Sequence, residues 1–121
     1  MADRTALPLV YSCSGCSNVA QLANAVALRL DRAGVAEMSC IAGVGGGVKP
    51  LVRLATSGRP IVALDGCPLA CAKSCLAQQG VEPTVHHVLT QHDLRKQVGV
   101  DPDDDDVQRV FELVRPTVPA A

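Results

Sequence analysis

Aromatic side chains are nearly missing from this 121-residue chain, which has no Trp, one Tyr and one Phe. Proteins that grip single-stranded nucleic acids or quaternary ammonium groups stack them on aromatic rings, so the composition argues against both functions. An excess of positive charge is missing too, because 11 Lys and Arg face 12 Asp and Glu and give a formal net charge of -1. We therefore expect no nucleic acid partner.

Long apolar runs are also absent. The uncharged stretch at residues 40–48 is rich in glycine and is far shorter than the roughly 20 residues of a membrane span. The first six residues form a short polar start without the basic and apolar regions of a secretory signal. We therefore expect a cytoplasmic protein with no membrane partner.

What the chain does contain is aliphatic material and cysteine. Hydrophobic residues make up 48% of the sequence and charged residues 19%, which suffices for one core, and the length fits one domain. Six cysteines are present. Because disulfides are rare in a reducing cytoplasm, these residues favour metal binding or thiol chemistry.

Apolar runs and helical patterns alternate along the chain. Strands are predicted at 7–11, 35–41, 61–64 and 81–90, and helices at 17–34, 50–57, 68–80 and 101–114, with a glycine-rich turn at 43–47. This alternation predicts a single-domain three-layer α/β/α sandwich around a mostly parallel sheet of about four strands. We assign residues 7–115 to the domain and 116–121 to a disordered tail.

Four cysteines fall where predicted strands turn into helices. Cys13 and Cys16 follow the first strand, and Cys67 and Cys71 follow the third. The carboxyl ends of parallel strands share one edge of a sheet, so the two pairs should meet there. Four thiolates suit a tetrahedral Zn²⁺ ion or an iron–sulfur cluster.

Other readings of the cysteines stay open at this point. Cys40 ends the second predicted strand at the same edge and could join the metal site, whereas Cys75 lies one helical turn beyond Cys71 and is expected in the core. Cys13 and Cys16 alone also fit a redox dithiol or a persulfide-handling site. The residues do not decide whether the chain is an enzyme.

Three separated segments resemble the DGC domain family. They are YSCSGCS at 11–17, MSCIAGVGG at 38–46 and DGCPLACAK at 65–73, and the resemblance extends from about residue 9 to 114. The family is described as zinc-binding on the strength of four cysteines, and its biochemical role is not established. The resemblance implies that Cys13, Cys16, Cys67 and Cys71 are the ligands. This chain departs from that pattern by having two further cysteines, Cys40 and Cys75.

The remaining polar candidates have simpler interpretations. Asp65 precedes Cys67 in a predicted turn, which its carboxylate can stabilise by accepting hydrogen bonds. His86, His87 and His92 could in principle bind metal. Only His92 lies beyond the predicted carboxyl end of its strand, and a solvated histidine is the better interpretation there. The Asp run at 103–106 lacks the alternation of a calcium loop and reads as a helix start.

Overall fold

A four-stranded parallel sheet forms the centre of the computed structural model, which describes residues 4–120. The strands are β1 (Leu9–Ser12), β2 (Glu37–Met38), β3 (Ile61–Asp65) and β4 (Val85–Val88), and their order across the sheet is β2-β1-β3-β4. All three pairings are parallel. Every residue of β1 and β3 is buried, because both faces of a parallel sheet are covered by helices.

Helices cover the sheet in two layers. The helices are α1 (Asn18–Arg32), α2 (Ile41–Gly45), α3 (Lys49–Ala55), α4 (Cys71–Gln78) and α5 (Asp104–Val114). α1 and α5 share one buried cluster with Val10, Val62 and Leu64, whereas α2, α3 and α4 share the other with Leu9 and Tyr11. Successive strand residues therefore point to opposite layers. The predicted three-layer α/β/α sandwich is confirmed.

α1 confirms the clearest sequence prediction. Its apolar positions recur at helical spacing, so one face of the helix is buried against the sheet. The Ser17 hydroxyl accepts a hydrogen bond from the Ala20 N–H at 3.1 Å and caps the first turn. Gly34, with a φ of +70°, ends the helical path in a conformation that glycine adopts without strain.

The third predicted helix begins later than expected, at Cys71 rather than Pro68. Residues 67–70 form a turn instead, in which the Ala70 N–H donates to the Cys67 carbonyl at 3.1 Å. Ala70 takes a left-handed φ of +51°, which no helix can continue through. Cys71 is consequently the first residue of α4.

The glycine-rich segment at 43–47 also differs from its prediction, since residues 41–45 form the short helix α2. Two of its glycines are required by packing rather than by a turn. A Cβ atom on Gly43 would overlap the Leu51 side chain, and one on Gly45 would lie 2.8 Å from the Cys75 sulfur. The absent side chains let α2 pack closely on α3 and α4.

The predicted tail begins with a short 3-10 helix, Arg115–Thr117. The Thr117 hydroxyl lies 2.8 Å from the His87 ring nitrogen, and Val118 packs on the core. Residue 121 lies outside the described residues, as do residues 1–3 of the predicted polar start. Within residues 4–120, no helix combines the length and apolar character that crossing a membrane requires.

Candidate metal centre

A crevice opens between the carboxyl ends of β1 and β3, where the connections of the sheet diverge. The chain leaves β1 through α1 on one face, and it leaves β3 through α4 on the other. In open parallel sheets this switch point is the usual place for a ligand. Cys13 directly follows β1, and Cys67 follows β3 by two residues.

The four predicted ligands line one cavity at this crevice. Its volume is about 140 Å³, and its lining includes Cys13, Cys16, Cys67 and Cys71 together with Gly66 and Lys96. Cys13 is buried, Cys67 is half-buried, and Cys16 and Cys71 are exposed. The two cysteine pairs thus line the same cavity although they lie more than fifty positions apart in the sequence. As their side chains stand, no three His, Cys, Asp or Glu residues between positions 4 and 120 are grouped closely enough to hold a metal ion.

Gly66 joins the two halves of the cavity. A Cβ atom at this position would lie 2.6 to 2.7 Å from the backbone of Val19 and Ala20, a distance too short for any side chain. Only glycine lets the turn after β3 approach the first turn of α1 so closely. The Gly66 N–H then donates to the Cys13 sulfur at 3.2 Å.

Asp65 fixes the position of α4. Its carboxylate is fully buried and accepts hydrogen bonds from the backbone N–H groups of Ala72 at 2.8 Å and Lys73 at 3.2 Å. These are orphan donors of the first helical turn, and the methyl side chain of Ala70, the residue in the cap position, cannot accept hydrogen bonds from them. Asp65 therefore holds the turn that presents Cys71.

His86 completes this arrangement, and sequence reasoning missed it. Its Nε2 atom lies 2.8 Å from Oδ2 of Asp65. The two residues meet because β4 pairs with β3 in a register that sets His86 beside Ala63, two residues before Asp65 on the same face. The sequence offered one signal for this contact, the alternation of side chains along the predicted fourth strand. That signal could be used only if the register of the β3–β4 pairing was known.

The Cys13 thiol is held in its neutral form. Burial raises its pKa from 9.0 to about 11, and negative charge on Asp65, Cys71 and Cys67 adds to the rise, whereas the hydrogen bond from Gly66 opposes it. A thiol with this pKa is almost entirely protonated at neutral pH. In the metal-free protein, Cys13 is therefore a poor nucleophile.

The other two cysteines lie apart from this lining. Cys40 lines a neighbouring cleft of about 350 Å³ with Ser12, Asn24 and Met38. Cys75 faces Gly45 of α2 and is half-buried. Burial raises the pKa of Cys75, and the nearby Cys71 and Asp65 add to the rise.

His87 in β4 and His92, which follows the 3-10 helix after β4, lie close to each other. The rings of His87 and His92 are 5.7 Å apart between centroids. Burial lowers the pKa of His87, and the neighbouring His92 and His86 add to that effect. None of the three histidines is among the residues that line the cysteine cavity in the described chain.

Comparison with known proteins identifies the family of the chain. The family model described as DGC domain matches residues 9–114. A protein of Pseudomonas aeruginosa strain PAO1, named anaerobic and virulence modulator AnvM, is 65% identical over 114 residues, which cover 93% of this chain and 87% of the relative. No solved structure matches the chain. The matched segment contains both cysteine pairs and both loops of the cavity, and the chain belongs to the DGC domain family.

Proposed function

We propose that this chain is a small metal-binding protein that holds one Zn²⁺ ion through Cys13, Cys16, Cys67 and Cys71. The observation that supports the proposal is the single cavity that all four residues line at the switch point of the sheet. Four thiolates are the donor set of closed, structural zinc sites. Such a site would tie the turn after β1 to the turn after β3.

The donors fit zinc by chemistry and by their freedom to move. Tetrahedral coordination at Zn–S distances of about 2.3 Å needs sulfur atoms roughly 3.8 Å apart. Cys16 and Cys71 are exposed at the surface of the cavity, so their side chains are free to change between staggered conformers, and the proposal requires them to do so to bring the sulfurs together. Cys13 is already oriented by the Gly66 N–H group, and such bonds to the sulfur help to fix a metal ligand.

Cys13 is poorly suited to be the attacking thiol of a redox dithiol. A redox dithiol needs an accessible thiolate, whereas Cys13 is 9% exposed and has a pKa of about 11. Zinc displaces the thiol proton on binding and supplies the positive charge that the buried sulfur lacks. Thiol or persulfide chemistry at this pair would instead have to begin at the exposed Cys16.

The Pseudomonas relative is named as a modulator. As part of the proposal, we assign a modulating role to the present chain as well. A closed four-thiolate site has no open position for substrate, so it would stabilise the loops around the cavity rather than catalyse a reaction.

Titration with Co²⁺ tests the proposal. Tetrahedral Co²⁺ absorbs visible light, and each thiolate ligand adds to a charge-transfer band in the near ultraviolet. We expect saturation at one Co²⁺ per chain, reversal by Zn²⁺, and loss of the bands in the Cys13→Ser and Cys67→Ser variants. Cys40→Ser and Cys75→Ser are the matched controls and should titrate like the wild type.

Two results would overturn the zinc proposal. Wild-type protein that takes up no Co²⁺ or Zn²⁺ under anaerobic, reducing conditions would leave the thiol-redox alternative as the better account. A brown protein with iron and labile sulfide, purified without oxygen, would identify an iron–sulfur cluster on the same ligands.

A further inference from the structure

A surface segment closes one side of the cysteine cavity. Residues 95–99, called the strap below, cross the N-terminal end of α1. The Asn18 side chain donates to the Arg95 carbonyl at 3.0 Å and accepts from the Gln97 N–H at 2.6 Å. The Asn18 N–H also donates to the Gln97 carbonyl at 3.0 Å. One side chain thus holds the first half of the strap in place.

The second half of the strap is attached to the CxxC loop itself. The Gly99 N–H donates to the Cys16 carbonyl at 2.9 Å, and Val98 forms an antiparallel bridge with Ser17. These bonds fix the backbone on both sides of Lys96. The Lys96 ammonium nitrogen consequently lies 3.4 Å from the Cys67 sulfur.

The electrostatics of the cavity give this contact its importance. Four thiolates around Zn²⁺ carry a net charge of -2, and the buried Asp65 carboxylate lies close enough to act on the pKa of Cys13. Asp65 has its own partners in His86 and the first turn of α4. Among the described residues that line the cavity, Lys96 is the one cationic side chain.

We propose that Lys96 is a positioning residue of the metal centre, whose ammonium group stabilises the doubly negative zinc–thiolate site through Cys67. This inference rests on the proposed zinc function and deepens it. The strap positions the Lys96 ammonium group, so the affinity for zinc depends on a segment that supplies none of the metal ligands. Charge-assisted bonds to sulfur of this kind stabilise the ionised ligand.

Zinc affinity measured by competition with a chromophoric chelator tests the proposal. Lys96→Met should weaken zinc binding about tenfold, as is typical when a partner of a metal ligand is removed. Lys96→Arg keeps the charge and should restore the affinity to within about threefold of the wild type. Arg95→Met is the matched control, because it removes an exposed cation from the same strap, and it should bind zinc like the wild type.

Salt and a second variant separate the charge effect from a structural one. The difference between Lys96→Met and the wild type should shrink as salt rises from about 0.02 to 0.5 M, because the ammonium group is solvent-exposed. Asn18→Ala, which releases the strap but keeps the charge, should weaken binding by a smaller factor. The metal-free Lys96→Met protein should unfold at the same urea concentration as the wild type.

The outcomes distinguish this inference from the proposal beneath it. If the wild type binds no zinc, both are overturned. If the wild type binds zinc and Lys96→Met has the same affinity within twofold, only the role of Lys96 is overturned. An equal loss in Lys96→Arg, or a loss that salt does not change, would also contradict the electrostatic argument.

Discussion

Replacing Asp65 by Asn should destabilise the protein more than any other isosteric change at the site. The carboxylate is fully buried, accepts two N–H groups from the start of α4 and lies 2.8 Å from the His86 ring. Asn keeps the shape, but it turns one acceptor oxygen into an NH₂ group that faces a donor. Hydrogen bonds to a charged group contribute about 1.5 to 3 kcal/mol, and a lost helix cap costs about 1 kcal/mol. We expect the free energy of unfolding to fall by about 3 kcal/mol.

Urea unfolding of the metal-free, reduced protein at neutral pH measures this change. Any bound metal ion must be removed by a chelator, because a ligand bound only to the folded state would add its own stabilisation. With an m-value of about 1.5 kcal/mol per M, the loss corresponds to a midpoint lower by about 2 M urea. Asp101→Asn is the control, since Asp101 is exposed ahead of α5. The reasoning is refuted if Asp65→Asn and Asp101→Asn unfold within about 0.5 kcal/mol of each other.

Further predictions concern packing and pH. Gly66→Ala should lower the free energy of unfolding by about 2 kcal/mol, whereas Gly15→Ala, whose Cβ would have 3.8 Å of clearance, should change it little in the same urea experiment. The raised pKa of Cys13 contributes about 3 kcal/mol of folding stability below pH 9. This contribution should be lost between pH 9 and 11 in the wild type, whereas Cys13→Ala should lack that loss. The pKa of Asp31 is lowered, because the Met38 N–H, Arg32 and Arg4 outweigh the effect of burial. This lowered pKa implies stability that is present at neutral pH and lost below about pH 4. Acid unfolding of Asp31→Asn should show a correspondingly weaker pH dependence.

The layered fold and the meeting of the cysteine pairs could be predicted from the sequence. Helical spacing identified α1, and a continuous apolar run identified β3 as a strand covered on both faces. Once strands and helices alternate, parallel pairing brings the ends of β1 and β3 to one edge. Cys13 and Cys67 line one cavity for that topological reason.

Features that depend on contacts between distant segments could not be predicted. Gly43 and Gly45 looked like a turn because glycine is typical of turns, but here they allow close helix packing. The contact of His86 with Asp65 could not be predicted, because it depends on the register of β3 and β4. Lys96 lies 29 positions from Cys67, and no spacing rule connects the two.

Metal content of anaerobically purified protein, measured by elemental analysis, tests the central claim most directly. The account predicts one zinc per chain in the wild type and in the controls Cys40→Ser and Cys75→Ser. It predicts loss of that zinc in each of four variants, Cys13→Ser, Cys16→Ser, Cys67→Ser and Cys71→Ser. Zinc that persists in all four variants, or a wild-type protein without zinc even after incubation with it, would contradict the account.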